Sequence, residues 1–287
     1  MTPSAAPFRP DTCQSGAGGI DWSSIASAES MSAFCGIMAG FVFAGLVTVI
    51  GQKNPPGGDA HASRALKLLL PCFIGLAMAS YLYALTSGEL VCTRAITEQL
   101  FSGAILATDA LLVIVALAWL LPAYGRNKHG EVRFFRGLIL FAAQFSILML
   151  TVSSDGFTKS VLHGQTAGWA TTLVWSSGGV CFVAVCLSWR APLPSIPPVP
   201  AILPPGVTAQ GWDEYCRDES FNHRVARAVK GAVTVGGLLA VAGGCAVGLA
   251  YTSWTSMQPW LVYPLAEAAL LLPATVIAAG VWAVPRD

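Results

Sequence analysis

Runs of about twenty apolar residues, repeated seven times, constrain this chain more than any other feature. A spanning helix needs about 20 such residues. Seven segments meet that length, at roughly 31–51, 66–87, 100–122, 135–154, 167–189, 231–254 and 260–284. Composition agrees: 54% of residues are hydrophobic and only 11% charged, against about 25% charged in soluble domains. There is too little charge to coat a soluble surface of this size. The expected fold class is therefore all-α, a polytopic integral membrane protein built as a seven-helix transmembrane bundle. Residues 1–30 carry one basic residue, Arg9, and no apolar core of the kind a signal peptide has.

Lys and Arg in the connections orient the bundle. Arg9, Arg94 and Lys159 fall on the side of the N-terminus, and the other thirteen of the sixteen basic residues fall on the opposite side. The expectation is an N-terminus outside and a C-terminus in the cytoplasm, in the plasma (cytoplasmic) membrane. The chain then divides into an outer tail (1–30), five helices (31–189), a cytoplasmic connection (190–230) and a two-helix hairpin with a short cytoplasmic end (231–287). The connection opens with the proline-dense APLPSIPPVPAILPPG, which favours extended polyproline II. It continues as the charged, helix-compatible WDEYCRDESFNHRVARAVK. Trp212, Tyr215, Arg224 and Arg227 make that second half the candidate docking surface for a cytoplasmic protein partner.

Of the eight cysteines, only Cys13 and Cys92 fall on the outer, oxidising side, so they are the candidate disulfide. Small residues recur every fourth position on helix 1 (Gly36, Gly40, Ala44, Thr48), and glycines crowd helix 6. Such residues let membrane helices approach closely. Packing within one chain is the favoured use, and a homo-oligomer face is the other.

Helix 3 contains LATDALLVIVALAWLL, with Asp109 inside the apolar run. Nine residues below Leu100, it lies about 13 Å into a core about 30 Å thick. An aspartate there costs about 2.5–3.5 kcal/mol and has to face a partner, water or the bundle interior. Glu267 is a second acid at nearly the same depth, with an interfacial position as its alternative. Gln144 and Tyr81 complete the candidate intramembrane polar site. No lysine or arginine reaches that depth.

No histidine lies within an apolar run, and no GxSxG, HExxH or P-loop pattern occurs. The expectation is no metal and no other cofactor. The near-neutral net charge of +1 excludes nucleic acid as a partner, and the lipid bilayer is the partner composition does require. Three functional classes are open. The favoured one is a non-enzymatic assembly, anchoring or signalling component, with Asp109 tethering helices. The second is a cation or proton channel or transporter using Asp109. The third is a membrane enzyme in which Asp109 and Glu267 share a cavity and protonate a lipophilic substrate, similar in topology alone to small membrane terpene cyclases.

Overall fold

A computed structural model describes residues 24–51, 59–89, 91–124, 129–162, 168–190, 212–248 and 259–284. All the regular structure among these residues is helical. The seven helices are α1 (Ser24–Gly51), α2 (Asp59–Ser87), α3 (Cys92–Tyr124), α4 (His129–Val161), α5 (Gly168–Arg190), α6 (Trp212–Gly248) and α7 (Pro259–Trp282). Each is long and apolar enough to cross a membrane. In a bilayer only a helix or a closed barrel satisfies every backbone group, and seven apolar segments without strand alternation choose the helix.

Several helices outrun their apolar text. α1 starts at Ser24 and α3 at Cys92. α6 runs unbroken from Trp212 for 37 residues, about 55 Å at 1.5 Å per residue. The charged, helix-compatible WDEYCRDESFNHRVARAVK segment is thus the first five turns of the sixth helix. The proline tract before it lies outside the described residues.

α3 is the most buried helix. It packs against α2 above all, and against α4, α6, α7 and, lightly, α1. The others form an incomplete ring around it, in the order α1, α2, α6, α7, α4, with α5 outside α4 and α7. Specific contacts fix the directions. Ser32 donates to the Ser80 carbonyl while Phe43 meets Phe73, so α1 and α2 are antiparallel. Gln144 reaches Cys186 and Thr151 lies on Gly178, so α4 and α5 are antiparallel as well. Arg64 and Leu82 of α2 meet Asp218 and Gly243 of α6 in the same order, so those two run parallel.

The small stripe on α1 meets α2 only at Gly36, where an added Cβ would lie 3.3 Å from the Ser80 hydroxyl. Gly40, Ala44 and Thr48 are exposed, and a Cβ built on Gly40 meets nothing within 4 Å. The buried face of α1 is instead Cys35, Ala39, Val42, Leu46 and Val49. Closer approaches occur elsewhere. On α6, Gly243 rests against Leu82 and Phe101.

At the end where α3 finishes, aromatic rings and arginines tie four helices together. Trp119 of α3 donates its indole N–H to the Ala283 carbonyl just past α7, at 3.1 Å. His61 of α2 stacks on it, and Phe221 of α6 meets it edge-on. The Arg64 guanidinium lies 4.9 Å from the centroid of the Trp119 ring and bonds the Asp218 carboxylate and the Asn222 side chain, each at 2.9 Å. Arg224 covers Trp282 at 4.4 Å.

Candidate functional site

Asp109 is turned into the protein and is 5% exposed. Its carboxyl sits directly on the backbone of Gly75 in α2. A Cβ at residue 75 would fall 2.7 Å from Cγ and closer still to Oδ2. Only a residue without a side chain fits there, so Gly75 is the floor of the site. The thiols of Cys35 on α1 and Cys72 on α2 are close enough to feel the carboxyl's field. Cys72 and Gly75 share one face of α2, and Cys35 belongs to the buried stripe of α1. The site is thus a pocket for one carboxyl among three helices.

Among the described residues, no side chain or backbone group hydrogen-bonds to Asp109, and no cation pairs with it. The adjacent Thr108 hydroxyl is committed to the Ala104 carbonyl at 2.9 Å. No group of three or more His, Cys, Asp or Glu among the described residues has a metal-holding arrangement.

The other sequence candidates go elsewhere. Glu267 is half-buried on α7, and the described group that feels its charge is Cys181 of α5. Its neighbour Ala266 accepts a hydrogen bond from Ser154 of α4. Asp109 therefore looks toward α1 and α2, and Glu267 toward α5, so the two carboxyls do not line one cavity. Gln144 donates to Cys186 at 3.2 Å and ties α4 to α5. Tyr81 is 65% exposed on the outer wall of the bundle. Tyr83, two residues on, is the buried tyrosine of α2, and its hydroxyl lies 3.4 Å from the Cβ position of Gly103. Helical period was the available signal. Positions 72, 76, 79, 83 and 86 form the buried stripe of α2, and 81 lies opposite.

Six described cysteines are free thiols, and Cys92, the first residue of α3, is not one of them. Cys13 lies outside the described residues. Of the docking candidates, Trp212 and Arg224 are buried. Trp212 stacks on Tyr215, and Arg224 packs on Trp282 and Phe221. Tyr215 and Arg227 are exposed, with Arg227 over Trp282 at 5.0 Å and beside His223. The Glu219 carboxylate holds the exposed Tyr215 phenol above its ordinary range.

A cavity of about 560 Å³ opens where the ring is incomplete, between α1 and α4 and over α3. Phe34, Ala107, Ile114 and Phe141 line it, with Tyr83 and Ser146 as polar points. Asp109 is on another face of α3 and does not reach it.

Comparison with protein-family models, with curated proteins and with solved structures finds no match. The chemistry of the site therefore rests on its own residues.

Proposed function

We propose that the protein is a proton-linked membrane transporter, in which Asp109 takes up and releases the proton. The carrying observation is a buried carboxyl, nearly five turns inside α3, with no hydrogen-bond donor and no cation among the described residues. A structural tether needs a bond between helices, and a carboxyl is expensive to bury without one. Asp109 makes none among the described residues, which favours a working group over a tether. Polar groups of α2 and α3 (Thr86, Glu98, Ser102) lie toward the start of α3. Toward its other end the buried faces are apolar as far as Arg64. Access is then from the side of the N-terminus, the outer side by the distribution of basic residues, and the membrane is the plasma (cytoplasmic) membrane.

The assembly reading keeps one supporting observation. Tyr215 and Arg227 stay exposed on the α6 extension, where a cytoplasmic partner could dock. The enzyme reading asks Asp109 and Glu267 to share a cavity, and their separate neighbours speak against it.

Stability separates a working carboxyl from a tether. Asp109→Leu, whose branch follows the shape of the carboxyl, removes an unpartnered buried polar group. The variant is expected to be more resistant to unfolding in mixed micelles, by about 2 kcal/mol on the scale of aspartate burial in a membrane helix. A loss of stability of that size would mean that Asp109 holds helices together.

A further inference from the structure

Asp109 is not the only unpartnered acid in the α2–α3 seam. Glu98 is 1% exposed, and both its carboxyl oxygens are buried without a hydrogen-bond partner. The Thr86 hydroxyl of α2 lies beside it but donates to the Leu82 carbonyl at 2.9 Å. The two acids obey one register. Thr86 follows Gly75 by eleven residues, and Glu98 precedes Asp109 by eleven, three turns on each antiparallel helix. Glu98 and Asp109 thus share one face of α3, about 16 Å apart along its axis. Ser102 lies between them, fully buried.

Glu98 also sits one turn below Arg94 on the same helix, the i,i+4 spacing at which side chains meet. Arg94 is at present paired with Glu89, Nη2 to Oε1 at 2.7 Å, and both are buried. Glu89 holds a further hydrogen bond from the Val91 N–H at 3.1 Å, so it keeps a donor if Arg94 leaves. Arg94 and Glu89 are the charged groups that act on Glu98. α2 brings only Thr86 and the described turns of α6 bring no charged residue, while α7, parallel to α3 with Gly280 against Leu112, carries Glu267 within a turn of the level of Glu98, its Oε1 buried without a hydrogen-bond partner. On α4, Asp155 and Lys159 pair with each other, and Glu29 of α1 is exposed.

We propose that Glu98 is a second proton-binding carboxyl on this seam, and that Arg94 is shared between two acids according to its state. Arg94 pairs with Glu89 while Glu98 carries its proton. When the proton leaves, Arg94 turns to the Glu98 carboxylate and Glu89 falls back on Val91. A proton bound from the outer side would thus meet Glu98 before Asp109, a sequence that rests on the transport reading. The exchange of Arg94 does not.

Infrared difference spectroscopy of the full chain in lipid nanodiscs tests this through the C=O band of protonated carboxyls. Raising the pH should remove a band that Glu98→Gln lacks and Asp109→Asn retains. In Glu89→Gln the carboxylate at 89 no longer competes for Arg94 and Glu98 is the acid one turn away, so the same band should titrate at least about one pH unit lower. Identical carboxyl bands in wild type and Glu98→Gln at every pH would overturn the proposal. Should Glu98→Gln not fold, Glu89→Gln decides: an unmoved Glu98 band overturns it and a lowered one supports it. The Asp109 band, assigned separately by Asp109→Asn, reports on the transport reading, so the two can fail independently.

Discussion

Trp119→Ala is expected to lower the unfolding free energy by about 3–5 kcal/mol, the range for large buried aromatics cut to alanine. Trp119 is 1% exposed. It is also the point at which α2, α3, α6 and the end of α7 meet, through His61, Phe221, Arg64 and the Ala283 carbonyl. Between membrane helices, packing and hydrogen bonds supply the association, because lipid offers no hydrophobic drive. Removing the indole removes packing on four sides and uncovers the Arg64 guanidinium. Trp119→Phe keeps a ring and loses the bond to Ala283, so it should cost about 1 kcal/mol for the missing bond. Chemical unfolding in mixed micelles reads both. Equal, small losses would mean that the four helices are held together elsewhere.

Gly75→Ala is expected to destabilise the protein by about 1–3 kcal/mol, the usual range for overpacking, although alanine is the better helix former by about 1 kcal/mol. The added Cβ would occupy the place of the Asp109 carboxyl. The seam must open, or Asp109 must leave its pocket. In an Asp109→Ala background the obstacle is gone, and Gly75→Ala should become neutral or stabilising. A double-mutant cycle therefore has a coupling of the order of the single-site loss. Additive effects would place the carboxyl somewhere other than on Gly75.

The seven spans were legible because about twenty apolar residues in a row have one solution in a bilayer. That Asp109 falls inside the third helix was legible for the same reason, since Leu100 and Pro122 bracket it in the text. Helix ends were not. Charged residues at 212–230 stop a hydropathy window but do not stop a helix, whose backbone bonds continue into water. The neighbours of Asp109 were not legible either. Gly75, Cys35 and Cys72 lie on two other helices, and only the α1–α2–α3 packing brings them together. The Gly36, Gly40, Ala44, Thr48 stripe packs within the chain only at Gly36, for a related reason. Small residues permit close approach but do not compel it, and the buried stripe of α1 is carried by Cys35, Ala39, Val42 and Leu46. Arginine in the 190–230 connection read as free charge for a partner. Arg224 instead finds Trp282 on α7 and is buried by it. Glu98 stands out in no apolar run, because hydropathy weakens around it, yet α3 begins six residues earlier, at Cys92.

Proton movement through the purified protein tests the central claim most directly. Liposomes with an imposed pH gradient, a clamped membrane potential and an internal pH indicator would carry either wild type or Asp109→Asn. The predicted result is proton flux with wild type that falls to the protein-free background with Asp109→Asn. Equal flux in the two, or none above background with either, would contradict a proton-carrying role for Asp109.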